Sequence, residues 1–400
     1  MDTFTVRNLT ADEIQPSAAL VARAFLWDHN SAAFEAKELL FTDALLDLGA
    51  FAGDRQVGAT RVHERPLALP GTGPVPIAAV SAVAVASDFR RRGVLRAMLR
   101  EALPRSGPAV SALFASESVI YGRFGYGVAT EQQQFTLPAK TPFQPDVHAD
   151  STAVRELTRD EAMPLLREKY DRYARERVGA LGRVDANWGY HFHDTENTRR
   201  GRSAFRFAVH PEGYAAYRVT PSFDDHGPAG KVSVYELVAN SPAAYTALWR
   251  YLLDLDLVTT VDYAGSPDEP LTRLLPESRV ALRKRFDALH VRLVDVAEAL
   301  PLRGYLTPVD VVVEVVDAFC RWNEGRWRLT AADGRMTVTQ TEQAADLTLD
   351  VRELGAAYLG GARLSAAAAA GLVQEHTAGA VAALSNAMLA EREPVCTEIF

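Results

Sequence analysis

Two amphipathic helices 150 residues apart carry the same apolar stripe, each behind an apolar strand. Leu95, Met98, Leu99, Ala102 and Leu103 fall at i, i+3, i+4, i+7 and i+8, and Tyr245, Leu248, Trp249, Leu252 and Leu253 repeat those positions. Val80–Ala86 precedes the first helix and Val232–Ala239 the second; Val110–Ala115 and Leu257–Tyr263 follow them as further strands. This is a degenerate repeat of a strand–helix–strand unit. A chain that must seat two such units is an α/β protein with mixed α+β sheets.

At 400 residues the chain has room for two to four domains. A proline-rich, polar linker at 138–150 and a change of pattern near Leu289 divide it into 1–145, 146–287 and 288–400. In the first region Phe4–Arg7 reads as a strand. Thr10 and Glu13 have capping-box spacing and open a helix to about Phe25, with Pro16 an awkward guest. Ala32–Leu48 reads as a second helix. Ala50–Ala52 and Gln56–Val62 form a hairpin through Gly53-Asp54-Arg55. Residues 66–76, with four prolines and two glycines, are expected to be loop. The helix of the first unit spans Arg92–Leu103, and Pro104 is expected to end it. In the second region Phe205–Val209 and Tyr214–Val219 form a hairpin, and a helix spans Pro242–Leu255. In the third, strands are expected at Val309–Val316, Arg326–Thr330, Met336–Thr341 and Ala345–Val351. Helices follow at Ser365–His376, with Ser365 as N-cap, and Ala378–Ala390.

Composition excludes several classes. The hydrophobic fraction of 48% and charged fraction of 24% suit a globular core rather than disorder. No run of about 20 apolar residues occurs, so no membrane span is expected. The N-terminus lacks a basic segment followed by an apolar one, and a cytoplasmic location is expected. Two cysteines, Cys320 and Cys396, exclude a disulfide scaffold. A net charge of -8 argues against nucleic acid as a partner and suits a cationic ligand.

The chemistry concentrates in one stretch. The strand at 80–86 runs through Ser87-Asp88-Phe89 and Arg90-Arg91-Arg92 to Gly93 and the start of a helix. Free N–H groups and the helix dipole favour an anion there. Gly93 lets the backbone approach a ligand, and the arginines add charge-assisted bonds. Shifted by the repeat, Arg90 to Gly93 become Asn240, Ser241, Pro242 and Ala243, so the second unit has lost the charges and the glycine.

This segment resembles the acetyl-CoA motif of the GNAT acyltransferases, R/Q-x-x-G-x-G/A after a strand. Arg90 and Gly93 match; Leu95 stands where the family usually has a small residue. Further on, Ile120-Tyr121-Gly122-Arg123-Phe124-Gly125-Tyr126-Gly127 is similar to a block of the Eis (enhanced intracellular survival) acetyltransferases. With the turn at 90–96 and the apolar terminal Phe400, the resemblance spans the chain. It implies a GNAT domain at 1–145, a GNAT-like domain without cofactor at 146–287, and a sterol-carrier-like domain at 288–400. It implies acetylation of aminoglycoside amines, at more than one position of a molecule, by a homohexamer using acetyl-CoA and no metal. The backbone of Val83, Ala84 and Val85 would line the pantetheine. Arg90, Arg91, Arg92, Gly93, Val94, Leu95 and Arg96 would hold the pyrophosphate, with Ser116 and Glu117 near the thioester. Tyr121 would protonate the leaving thiolate, and the Phe400 carboxylate would act as base toward the amine.

Other residues carry competing readings. Tyr126, five residues on, rivals Tyr121. Trp27 and Asp28, with Glu35, are candidates to line a cationic substrate pocket. His191 and His193 have the spacing of ligands on one strand face, with Asp194 on the other, but no third ligand is in sight and no metal is expected. Cys320 reads as a small core residue. Two alternatives stand beside small-molecule acetylation: protein lysines as acceptors, and a hydrophobic-ligand-binding protein acting through the C-terminal domain.

Overall fold

The computed structural model describes residues 4–27 and 44–400. The first sheet has the order β1-β2-β3-β4-β5-β16-β6. Its strands are β1 (Thr5–Asn8), β2 (Leu46–Ala52), β3 (Arg55–Leu69), β4 (Gly73–Val85), β5 (Val110–Phe114), β6 (Gly127–Val128) and β16 (Leu289–Leu293). The second sheet has the order β15-β7-β14-β13-β10-β9-β8. It contains β7 (Glu131–Pro138), β8 (Arg155–Leu157), β9 (Arg206–His210), β10 (Gly213–Thr220), β13 (Gly230–Ala239), β14 (Val258–Gly265) and β15 (Leu282–Asp287). A small hairpin pairs β11 (Phe223–Asp224) with β12 (Gly227–Pro228). The third sheet, β19-β18-β17-β20-β21, uses β17 (Val309–Val316), β18 (Gly325–Ala332), β19 (Arg335–Gln340), β20 (Leu347–Asp350) and β21 (Val373–Glu375). The first two sheets exchange strands. β7 lies between β14 and β15, and β16 returns between β5 and β6.

The repeat is present in three dimensions. Helix α1 (Ile14–Ala24) follows the Thr10–Glu13 capping box, and α2 (Val94–Arg105) links the parallel strands β4 and β5. Helix α3 is the short Ser118–Tyr121 turn. Helices α4 (Arg159–Glu176) and α5 (Asp185–His191) precede β9, and α6 (Pro242–Leu253) links the parallel strands β13 and β14. Met98, Leu99, Ala102 and Leu103 are buried on α2, and their counterparts Leu248, Trp249, Leu252 and Leu253 are buried on α6. The C-terminal region adds α7 (Val351–Ala357), α8 (Leu364–Ala369) and α9 (Ala380–Ala387).

Several expectations change. Residues 66–76 are a hairpin rather than a loop: β3 and β4 pair to Leu69↔Gly73, with Pro66 opposite Pro76. Pro66 O accepts from Gly182 N–H on the far side, so this is a pair in which neither missing N–H would point at the other strand. The helix expected at 32–48 lies outside the described residues up to 43, and 46–48 open β2. Pro104 sits inside the last turn of α2, which ends at Arg105. The helix expected at 365–376 starts at Leu364, with Arg363 rather than Ser365 in the N-cap position and no side-chain cap bond, stops at Ala369, and gives way after Gly371 (φ 76°) to β21. Helix α4, 18 residues long, went unread because its charge density hides the apolar face of Ala162, Leu166 and Tyr170. Among the described residues no helix is long and apolar enough to cross a membrane.

Candidate active site

The slot begins at a β-bulge. Ala59 pairs with Ala84 and Arg61 with Ser81, so Ala82 and Val83 together face Thr60. Ala82 sits at φ 50°, and the extra residue turns β4 out of the sheet. β4 pairs with β5 only at Ala78↔Ser111 and Ala79↔Ala112. Beyond them Val83, Ala84 and Val85 keep β3 on one side and, among the described residues, no strand on the other. This stretch presents backbone donors and acceptors to an extended amide chain such as pantetheine.

The turn that follows ends at an open helix start. Asp88 is held by Arg55 at 2.6 Å, which lowers its pKa, and the Arg92 guanidinium lies 4.9 Å over the Phe89 ring. Arg91 (φ 63°) and Gly93 (φ 87°) are both left-handed, and strain of this kind gathers at ligand sites. A Cβ on Gly93 would meet no described atom within 4 Å, and its φ requires glycine. Among the described residues no side chain caps α2, and the N–H groups of Val94, Leu95 and Arg96 have no intrahelical acceptors. Arg90, Arg91 and Arg92 are exposed around them. Arg96 is turned aside, 5.6 Å over Phe319. These residues fit the phosphates and pantetheine of acetyl-CoA. In the second unit Ser241 accepts from Ala244 N–H at 3.2 Å and Pro242 fills the first turn, so that helix start is closed.

The end of β5 gathers the remaining candidates. Ser116 and Glu117 are exposed in the loop that opens α3. Tyr121 closes α3, buried, its ring 6.0 Å from that of Tyr126. The two tyrosines differ in their hydroxyls. That of Tyr126 is 2.8 Å from Ser111 Oγ on β5, whereas that of Tyr121 bonds to no described residue. Burial, then the charge of Glu117, pushes the Tyr121 hydroxyl up to about 12, so it carries its proton at neutral pH. Phe400 packs edge-on against Phe114, centroids 5.5 Å apart. Ala112 and Phe114 face the core that holds Phe400, and Leu113 the core that holds Tyr121. The two candidates therefore flank opposite faces of β5 where β4 departs from it.

The other candidates separate. Trp27 is half-buried at the end of α1, stacked on Phe25 at 5.0 Å. Asp28 and Glu35 lie outside the described residues. His191 ends helix α5 rather than lying on a strand, with Nε2 3.1 Å from Glu236 Oε1. Asp194 bonds to Arg199 and Arg218. Among the described residues no three potential ligands converge on a metal position. Burial pushes the Cys320 thiol up to about 11 and Cys396 up to about 12, which disarms both as nucleophiles. Sequence reasoning missed the bulge at Ala82, the Arg55–Asp88 brace and the partner of Tyr126. Nothing in Ser81-Ala82-Val83 marks the first, since no glycine or asparagine stands there.

Family models for acetyltransferase (GNAT) domains match residues 5–129 and 179–293, and one for a sterol carrier protein domain matches 296–397. An uncharacterised N-acetyltransferase of Streptomyces avermitilis is 40% identical over 89% of this chain and 90% of its own. The N-acetyltransferase Eis of Mycobacterium tuberculosis is 36% identical over 80% of each. The crystal structure of Eis1 from Mycobacterium abscessus superposes over the full length of both chains with a TM-score of 0.87 at 30% identity.

Proposed function

The chain belongs to the Eis-type N-acetyltransferases of the GNAT superfamily, and from that membership we propose that it moves acetyl from acetyl-CoA to amines of aminoglycoside-like cationic molecules, at more than one position. The observation that carries the reading is the continuity of the Val83–Val85 edge, which no described strand covers, with the uncapped start of α2. One is suited to pantetheine and the other to pyrophosphate.

Acetyl-CoA supplies an activated acetyl thioester. Arg90, Arg91, Arg92 and the N–H groups of Val94 to Arg96 bind its phosphates. The β4 edge would hold the pantetheine, with Ser116 and Glu117 near the thioester. The Phe400 carboxylate holds the attacking amine and relieves it of a proton, since an ammonium cannot attack. A terminal carboxyl has an ordinary pKa near ~3.5, so its help is largely electrostatic, through water. Tyr121 keeps a proton at its hydroxyl for the departing sulfur. Trp27 and Asp28 are our candidates for contacting the cationic acceptor, a charge type that the net charge of -8 suits.

We assign the cofactor work to 1–145, a cofactor-free supporting role to 146–287 and delivery of the terminus to 288–400, in a cytoplasmic homohexamer. Mass spectrometry of products from an amine panel with acetyl-CoA tests the reading. Multiple acetyl additions on aminoglycosides are expected; modification of protein lysines alone would replace it. Sedimentation as a monomer would remove the hexamer.

A further inference from the structure

Residues 395–397 of the tail lie against the second unit. There Ala216 pairs with Glu236 and Tyr217 with Val234, leaving Tyr235 bulged, and β13 parts from β14 after Val234↔Tyr263. This is the same divergence that makes the slot between β4 and β5. Here the gap is a cavity of about 80 Å³ with Val395 and Thr397 in its wall. Val395 N–H donates to Val178 O at 3.0 Å, and Gln132 Nε2 donates to Cys396 O at 2.9 Å. A Cβ on Gly179 would stand 2.7 Å from Val395 O, so the tail lies flush on backbone. Cys396, Glu398 and Phe400 are buried while Thr397 and Ile399 are exposed, the alternation of an extended segment.

Glu398 pins that segment. It is 4% exposed, with Arg65 of β3 at 2.5 Å from Oε1 and the Arg183 guanidinium on Oε2. The Tyr170 hydroxyl stands 3.3 Å from Oε2. Arg183 also pairs with Glu236 at 2.5 Å, and His191 completes the shell. Two guanidiniums and two carboxylates balance in the interior without His191. A buried ion pair of this kind is a poor source of stability but accepts one register only. A slip of one residue would turn Glu398 to solvent and lift Phe400 off Phe114.

We propose that Glu398 is the positioning residue for the Phe400 carboxylate, and that the second unit supplies the seat for the tail where the first has its cofactor slot. This rests on the reading of Phe400 as base. Arg65 reaches the tail from the cofactor-binding unit and Arg183 from the second, so all three regions meet at one carboxylate two residues before the terminus.

The test compares Glu398→Gln and Glu398→Asp with the parent chain. Turnover is normalised to CoA sites counted by calorimetry and followed from pH 7 to 9. CoA affinity should be unchanged. Turnover per site of Glu398→Gln should fall ~30–100-fold at pH 7, and the deficit should shrink as more amine arrives unprotonated, while Glu398→Asp recovers most of it. A loss of folded protein alone would give no pH-dependent deficit per site. Normal turnover, or a deficit constant across pH, would overturn the proposal. If Glu398→Gln does not fold, the pair Arg65→Gln with Glu398→Gln removes one charge of each sign and is read the same way. Addition of two glycines after Phe400 separates the premises. If the extended chain keeps full turnover, Phe400 is not the base; if it loses turnover while Glu398→Gln does not, only the clamp fails.

Discussion

Phe400 lies edge-on to Phe114, ring centroids 5.5 Å apart and planes at 71°, so the last residue of the chain is tied to the last residue of β5. Free chain ends are usually loose unless something holds them. Phe400→Ala keeps the carboxylate and removes the ring that holds it. It should cut turnover by ~10-fold or more with CoA affinity unchanged, since positioning errors of an ångström are costly in catalysis. Steady-state kinetics beside calorimetry reads both quantities.

CoA should bind once per chain. Calorimetry should return one site, and Arg92→Ala should weaken binding by ~5–20-fold, about 1–2 kcal/mol for an exposed charge-assisted contact. Arg92 is exposed in the turn ahead of α2, so the melting temperature without CoA should hold. Two sites per chain would contradict the closed helix start at Ser241–Pro242.

The tyrosines should separate rate from stability. Tyr121→Phe should lose ~10²–10⁴ in turnover with unfolding unchanged. Tyr126→Phe should keep turnover and lose about 1 kcal/mol, the hydrogen bond to Ser111. Because burial lifts the Tyr121 hydroxyl up to about 12, it should add no alkaline limb to the rate profile below about pH 10. The reverse pattern between the two variants would reassign the acid.

Gly127→Ala should be poorly tolerated. A Cβ there would stand 2.1 Å from Arg352 O and 2.6 Å from Ala356 N, both backbone of α7. Backbone cannot swing aside as a side chain can, so about 3 kcal/mol or more is expected in urea unfolding. Gly125, at φ 81°, would drive a Cβ into Arg292. The glycines of this block pack against the C-terminal region.

Acid should unfold the chain through the buried carboxylates. Burial pushes Glu236 up, but Arg183 and then His191 outweigh it, and its carboxyl ends well below the usual range. The same contest, with Arg183 and Arg65 on the other side, leaves Glu398 lowered. A depressed folded pKa contributes stability that is present above the unfolded value near ~4.3 and fades as pH falls below it. Melting temperatures should therefore drop below about pH 4, and less steeply in Glu398→Gln.

The repeat, the uncapped arginine turn and most strands of the C-terminal region were readable along the chain because they rest on local rules. Apolar spacing, capping chemistry and glycine placement act within a few residues of one another. Local rules also misled at 66–76, where prolines argued for a loop. The hairpin forms because the two prolines face each other where no ladder bond is needed, and because residues 180–182 take up the far edge of β3. The acetyl-CoA turn was visible from Arg90 to Gly93, but the slot beside it was not, since a bulge at Ala82 shows itself only once β3 is in place. The clamp on the tail was out of reach altogether. Arg65 and Glu398 are 333 residues apart, and no periodicity links them. Their pairing depends on β3, the segment between α4 and α5, and the C-terminal tail closing around one buried charge, whose cost only the assembled interior offsets.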